Sequence, residues 1–348
     1  MDSAGQYLSL IDAFAGRRVA VVGDVLADEF VYGQVARVSR EAPVLILEYD
    51  STEIVPGGAG NAANNVASLG GRARLAAVVG RDDAATRLLD ALHDGVDRRH
   101  VTRVNGSVTP VKTRILAGGI HSAKQQVVRI DRGVRKPIDA RVRAAFERAA
   151  FKAVSRVDAV LVSDYGSGLL TPRFAARLRA AANANGPVPV LIDTRYRVLE
   201  YRGLTACTPN ESEVEQALGI HINEDTRVLE RAGREILERT RMQAVLITRG
   251  SRGMALFQPG EATIHIPIFG SDEIADVTGA GDTVMATVTL ALAAGATFEQ
   301  AARLANYAGG IVVMKRGTAT VGVDELRHAV TADEAEGGGR ARGRRRRG

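Results

Sequence analysis

The stretch Asp276 to Gly295, DVTGAGDTVMATVTLALAAG, constrains this chain more than any other. It reads as a glycine-rich turn opening directly into an apolar helix, so the backbone N–H groups of Gly279, Ala280 and Gly281 would point at whatever sits above the helix N-terminus. Such a place attracts anions. Asp282 falls in the first helical turn, where the helix dipole favours a negative side chain but where it would repel a bound phosphate unless it had a chemical role. The economical role is proton removal, in which Asp282 takes a proton from a substrate hydroxyl while the three N–H groups stabilise charge on a transferring phosphoryl group. The alternative is an ordinary aspartate at a helix start after a glycine turn, a common arrangement.

Around this stretch the chain alternates. Arg17 to Asp24, RRVAVVGD, is an apolar run closed by Gly-Asp, the pattern of a buried parallel strand ending in a polar loop. From Asp139 onward helix and strand patterns follow in turn: Asp139 to Val154, DAVLVSDYGSG, Pro172 to Asn185, VPVLIDTR, AVLITRGSRGMALF, and a last helix over Phe298 to Lys315. This predicts an α/β fold with a mainly parallel sheet and helices on both faces. Asp24, Asp164 and Asp193 lie at strand ends, on the edge where open α/β sheets bind ligands. Asp24 fits an acceptor for two vicinal hydroxyls, and equally a turn or cap residue. Two segments break the rhythm. Phe30 to Val55 is β-rich, with Pro43 indicating an edge strand, and Val108 to Asp131 holds the runs VKTRIL and KQQVVRID, which read as a hairpin. They predict a small β lid, over about residues 30–55 and 108–131, on a domain covering 10–330.

With 348 residues, 45% of them hydrophobic, the chain can fill a large α/β core. The single cysteine, Cys207, rules out an intrachain disulfide. The N-terminus has neither the basic region nor the apolar run of a signal peptide, and no stretch reaches the roughly 18 apolar residues of a membrane span. A soluble, cytoplasmic protein is expected. The net charge of +6 comes from the six arginines among the last nine residues, so the body is neutral and nucleic-acid binding by it is not expected. Residues 331–348 read as a disordered Arg-rich tail, with polyanion binding through that tail as a remote alternative.

Pro56 to Leu69, PGGAGNAANNVASL, is a glycine-rich entry to a small-residue helix on which Asn61 and Asn65 share a face. It fails as a dinucleotide fingerprint, because Gly58-x-Gly60 lacks the third glycine at the required offset. No lysine follows a glycine, which excludes a Walker A loop. The six histidines show no metal-ligand spacing, and no G-x-S-x-G elbow is present.

The pattern Asp-x-Thr-Gly-Ala-Gly-Asp, carried by Asp276, Thr278, Gly279, Ala280, Gly281 and Asp282, resembles the signature of the ribokinase-like (phosphofructokinase-B) sugar kinases. Gly57-Gly58 with Asn61 is similar to that family's sugar-clamping block. The resemblance implies a ribokinase-like three-layer sandwich with a β lid, a homodimer contact through the lid, and ATP and Mg²⁺ as cofactors, with a monovalent cation as a further option. It implies Asp282 as catalytic base, Gly279 to Gly281 as anion hole, and acceptor contacts at Asp24, Gly57, Gly58, Asn61 and Asp164. Nucleotide contacts are implied at Asn210, Glu211, Ser212, Glu213, Thr248, Gly250 and Asn306, with Arg316-Gly317-Thr318 closing the loop behind the phosphates. Asn210 and Glu213 match the family's Asn-x-x-Glu motif, which organises Mg²⁺ through water. The same spacing is a helix capping box.

More narrowly, VVGDVLADEFVYGQVARVSREAP followed by PGGAGNAANNVASLGG resembles the heptose 7-phosphate kinases, which phosphorylate the anomeric hydroxyl of D-glycero-D-manno-heptose 7-phosphate in ADP-heptose synthesis. Another sugar or sugar phosphate is the alternative acceptor. Those kinases are often the first half of a fusion with a nucleotidyltransferase, and here the kinase pattern ends near Val330, so the second half is expected to be absent. Lys112, Arg114 and Arg129 are candidates for the acceptor's own phosphate, since a dianion calls for charged donors. Solvent-facing strand charges are the alternative. The chain departs from the heptose kinases in three places. The link after Lys112-x-Arg114 is longer, Ser167 stands where lysine is usual, and Asp193-Thr194-Arg195 replaces Asp-Pro-Lys, with Arg195 keeping a cation of different geometry.

Overall fold

The computed structural model describes residues 4–118, 124–133, 138–270, 276–315 and 317–345. Helix α1 (Ala4–Asp12) leads to strand β1 (Arg18–Gly23), and a single residue, Asp24, separates β1 from β2 (Val25–Val38). β3 (Leu45–Gly58), α2 (Ala59–Ser68), β4 (Arg72–Gly80), α3 (Asp83–Asp90) and β5 (Val96–Val104) follow, then β6 (Val111–Gly118) and β7 (Gln125–Arg132). The middle of the chain alternates as α4 (Ala140–Ala153), β8 (Ala159–Asp164), α5 (Pro172–Ala182), β9 (Val190–Thr194), β10 (Ala206–Cys207), α6 (Glu211–Leu218), α7 (Thr226–Thr240) and β11 (Ala244–Thr248). After β12 (Met254–Phe257) and β13 (Ile264–Ile266) come three helices: α8 (Ala280–Ala293), α9 (Phe298–Val313) and α10 (Val323–Arg345).

Among the described residues, nine strands form one sheet in the order β13-β12-β11-β10-β9-β8-β1-β4-β5, parallel from β11 to β5 and antiparallel at the β12 and β13 edge. Every residue of β8 is buried, as a parallel strand covered on both faces requires. Along β1, Val19 and Val21 join the core under α2, α8 and α9, while Ala20 and Val22 join the core under α4, α5 and α7. That alternation produces the three layers. Helix starts follow local chemistry: the Thr171 hydroxyl accepts from Phe174 N at 3.1 Å with Pro172 next to it, and Asp139 caps α4. Helix α8 is apolar all round and is buried without a break from Asp282 to Ala291, lying between α2 and α9.

The second sheet runs β3-β2-β6-β7 and is the predicted lid, with β3 on its edge. β2 is buried where it leaves β1 and exposed over its last five residues, and β7 is exposed throughout, so the sheet stands off the main body. The link between β6 and β7 falls largely on 119–123, outside the described residues.

The domain limits of 10 and 330 need correction. Ala4 and Tyr7 are already buried in the core. Helix α10 crosses 330, and past it Asp333 accepts from the Tyr307 hydroxyl at 2.6 Å and Glu334 from Ala4 N at 3.2 Å. The expectation of a disordered tail from 331 overlooked the run TADEAE, which continues the helix because alanine and glutamate favour it and Asp333 and Glu334 have partners to reach. Among the described residues no helix is long and apolar enough to cross a membrane.

Candidate active site

The strand order reverses direction between β1 and β8, which opens a crevice beyond their carboxyl ends. Asp24 follows β1, Asp164 ends β8, and the N-terminus of α8 brings Asp282 to the same place. Asp282 is 3% exposed. Its Oδ2 accepts from Asn61 Nδ2 at 2.9 Å, and its Oδ1 accepts from the Tyr165 hydroxyl at 3.1 Å. Burial raises its carboxyl to about pKa 7, against the opposing pull of the Asn61 and Tyr165 hydrogen bonds. A base with that pKa suits proton transfer near neutrality.

Asn61 is itself fixed. Asn65, one turn along α2, donates to Asn61 Oδ1 at 3.0 Å, which turns the Asn61 amide nitrogen toward Asp282. Asn65 Oδ1 in turn accepts from the Thr283 hydroxyl at 3.1 Å, so the chain of bonds returns to α8. The shared face of Asn61 and Asn65 legible in the sequence therefore serves the carboxylate directly.

The turn before α8 has the predicted form. Gly279 sits at φ 80°, and a Cβ there would lie 2.6 Å from Asn61 Nδ2 and 3.0 Å from Thr318 Cγ2. Asp276 braces the turn by accepting from Thr278 N and Gly317 N. Above Gly281 nothing lies within 4 Å of a Cβ position. One correction applies to the anion hole: Ala280 N–H is already bonded to Val277 O at 3.3 Å. Among the described residues, the N–H groups of Gly279 and Gly281 donate to no backbone acceptor, and the buried Thr318 hydroxyl beside them has no hydrogen-bond partner. These donors fit the phosphate oxygens of a nucleotide. Arg316 lies outside the described residues.

Asp24 reaches the crevice, but three of its acceptor positions are filled. Oδ2 accepts from Tyr165 N at 2.9 Å and Ser167 N at 3.3 Å, and Oδ1 from the Ser167 hydroxyl at 2.5 Å. Burial, with Asp164 nearby, raises its carboxyl to about 6 despite the Ser167 bonds. The turn-closing role is thus realised, and Ser167 is the residue that closes it. Asp164 is a brace of the same kind, accepting from Gly166 N, the Thr194 hydroxyl and the Tyr201 hydroxyl. Thr194, a departure from the heptose kinase pattern, thereby acquires a structural role. Gly57 and Gly58 let the backbone close on this loop: a Cβ at Gly57 would meet Asp28 Oδ2 at 2.5 Å, and one at Gly58, at φ 59°, would meet Asp24 O at 2.6 Å.

The candidate phosphate cations separate. Arg114 is bound to Asp28 and lies over the Phe30 ring, and Arg129 is bound to Asp131. Lys112 and Arg195 form no ion pair among the described residues. Instead Lys112 Nζ lies 5.4 Å and Arg195 Cζ 5.7 Å from the centroid of the Tyr165 ring. Burial and the neighbouring Arg195 lower the Lys112 pKa, partly offset by Asp28.

At the start of α6 Asn210 and Glu213 form the capping box, with Asn210 N donating to Glu213 Oε2 at 3.0 Å and Glu213 N to Asn210 Oδ1 at 2.9 Å. One Glu213 oxygen remains, and burial raises its carboxyl. Glu211 is engaged by Arg249 and Arg252, Ser212 is exposed, and Thr248 pairs with Asn210 through a backbone bridge. Gly250 adopts φ 57° with open space beside it. Asn306 donates to Pro267 O at 2.8 Å, which fixes it to a neighbouring loop. Among the described residues no group of three or more metal-ligating side chains is close enough to hold an ion. A Mg²⁺ carried by phosphate oxygens and water, with Glu213 at one side, fits this set; a protein cage does not.

One residue escaped the sequence reading: Tyr165 stands one position past the end of β8, a ligand-edge location that was the available signal. Asp193, at the end of β9 on the same edge, has a carboxyl pushed well up by burial and by the charges of Asp282 and Glu213.

The sequence matches the model of the pfkB family of carbohydrate kinases over residues 17–325. It is 43% identical over 308 residues to the bifunctional protein HldE of Geobacter metallireducens, covering 88% of this chain and 61% of that one. It is 39% identical over 324 residues to HldE of Azorhizobium caulinodans, covering 91% and 65%. The chain therefore spans somewhat under two thirds of the length of these relatives. Among solved structures, Arabidopsis thaliana ribokinase complexed with ribose and ATP superposes with a TM-score of 0.67 at 21% identity, covering 91% of this chain and 98% of that one. Phosphofructokinase-2 of Escherichia coli with fructose-6-phosphate gives 0.71 at 17% identity, covering 91% and 99%. The fold is ribokinase-like, and the chain belongs to the pfkB family of carbohydrate kinases.

Proposed function

We propose that this protein is an ATP-dependent kinase that phosphorylates the anomeric hydroxyl of D-glycero-D-manno-heptose 7-phosphate. The observation that carries the reading is the Asp282 carboxylate, buried and held by Asn61 and Tyr165, beside the N–H groups of Gly279 and Gly281, which donate to no backbone acceptor among the described residues. Asp282 accepts the proton of the acceptor hydroxyl. Gly279 and Gly281 N–H and the Thr318 hydroxyl stabilise the charge on the transferring group, with the phosphoryl group supplied by bound ATP. Glu213 organises Mg²⁺ through water. Lys112 and Arg195 hold the acceptor's own phosphate.

The choice of acceptor is supported by the heptose kinase pattern over residues 21–43 and 56–71 and by the similarity to HldE proteins over 88% or more of this chain. A homodimer through the lid fits the exposed Val35, Val38, Leu45, Tyr49, Val128 and Ile130 on its strands. A cytoplasmic location agrees with the free, buried Cys207, and a monovalent cation remains a further component of the proposal. A panel of free and phosphorylated sugars with ATP and Mg²⁺, with products resolved by mass and phosphate position, tests the reading. A 1,7-bisphosphate from the heptose 7-phosphate is expected. Turnover of free ribose or fructose with none on heptose 7-phosphate would reject the acceptor and leave the chemistry standing.

A further inference from the structure

Asp282 is held at two points, and the two holders differ in origin. Asn61 comes from α2 and is locked by Asn65. With Asn61 alone the carboxylate could still turn about its last torsion, because one donor fixes one oxygen. The Tyr165 hydroxyl on the other oxygen removes that freedom. A carboxylate has about four acceptor positions, so two remain for a substrate proton.

Tyr165 is itself over-determined. Its backbone N–H donates to Asp24 at 2.9 Å, and a Cβ on Gly58 would sit 3.2 Å from its ring, so Gly58 packs against its edge. Two cations from separate elements lie over its ring: Lys112 from lid strand β6 and Arg195 from the loop after β9. Cation–π attraction of this kind contributes about 0.5–2 kcal/mol per pair. One side chain thus meets the carboxylate with its hydroxyl and, with its ring, two cations that form no ion pair among the described residues.

We propose that Tyr165 is the positioning residue that fixes the Asp282 carboxylate and couples its orientation to the cations on the lid and on the β9 loop. The proposal rests on the kinase reading for the role of Asp282. Burial and the adjacent Asp282 charge push the Tyr165 phenol well up, so it remains a donor throughout the working pH range. Its hydroxyl bond also draws the Asp282 pKa down against the effect of burial.

The test separates hydroxyl from ring. Tyr165→Phe keeps the platform and removes the donor, so kcat is expected to fall about 10-fold. Its acid limb should move to higher pH by roughly half a unit or more, and the acceptor KM should stay within about 2-fold. Tyr165→Leu should lower kcat similarly and also raise the acceptor KM. An unchanged acid limb in Tyr165→Phe, or a uniform loss at every pH with the limb in place, overturns the proposal. Carboxyl carbon NMR titration of wild type, Tyr165→Phe and Asp282→Asn reads the same shift without turnover. If the Asp282 resonance titrates higher in Tyr165→Phe while no sugar is phosphorylated, the positioning holds and the kinase reading fails. If neither moves, the positioning fails whatever the substrate.

Discussion

Arg114 is bound to Asp28 in a pair that leaves the two side chains only 12% and 7% exposed, which withdraws it from the acceptor site. Lys112, two residues earlier on the same face of β6, lies over the Tyr165 ring instead. Opposite effects are expected from removing them. Lys112→Ala or Arg195→Ala should lower kcat/KM for a phosphorylated sugar by roughly 10- to 100-fold and much less for its unphosphorylated analogue. Arg114→Ala should destabilise the fold by about 3–5 kcal/mol, because Asp28 would be left buried and unpaired. Steady-state kinetics and urea unfolding distinguish the two. Equal penalties on both acceptors would assign Lys112 and Arg195 elsewhere.

Asp282→Asn should keep the fold and nucleotide binding and lose at least about 100-fold in turnover. The pH dependence of wild type follows from a carboxyl raised from 3.8 to about 7: activity should fall as the pH drops through 7. Stability runs the other way. A carboxyl whose folded pKa is raised binds its proton more tightly in the folded state, so its contribution is full below 3.8 and is lost as pH rises through 7. Asp282→Asn removes that loss. Its denaturation midpoint relative to wild type should therefore be more favourable at pH 8 than at pH 5, and an equal offset at both would contradict the raised pKa.

The two glycines flanking Ala280 should separate structure from chemistry. Gly279→Ala places a Cβ 2.6 Å from Asn61 Nδ2 at φ 80°, so stability and activity should both fall. Gly281→Ala meets nothing within 4 Å and exchanges glycine for alanine in a helix, so stability should hold or rise by up to about 1 kcal/mol. Its methyl would stand where phosphate oxygens are expected, and the KM for ATP should rise at least several-fold. Calorimetry and kinetics on the pair check both halves.

Truncation tests the chain's end. Removing 337–348 should leave kinetics and melting temperature unchanged. Removing 331–348 takes away the partners of Tyr307 and Ala4 and should lower the melting temperature by several degrees. Identical behaviour of the two truncations would mean those bonds contribute nothing.

What could be read from the sequence was what neighbours in sequence decide. The turn at Gly279, the shared face of Asn61 and Asn65, the buried run of β8 and the edge position of β3 all follow from local pattern. Contacts between distant residues were not legible: Tyr165 and Asp282 are 117 positions apart, and nothing near Tyr165 signals its partner. Asn306 is similar, since its amide is fixed by Pro267, 39 residues away. Asn210 and Glu213 were ambiguous for another reason. A capping box and a water-mediated metal site ask for the same two residue types at the same spacing, and the capping bonds leave one Glu213 oxygen over.

A single residue lies between the end of β1 and the start of β2, and that residue is Asp24, bound three times by the loop after β8. The root of the second sheet is therefore tied to the crevice by those three bonds, while the irregular pairing, at Tyr32/Gly33 and Val35/Arg37, lies farther out along β2. The end nearest Asp282 is the regularly paired end, and any bend in the sheet is built into its outer half.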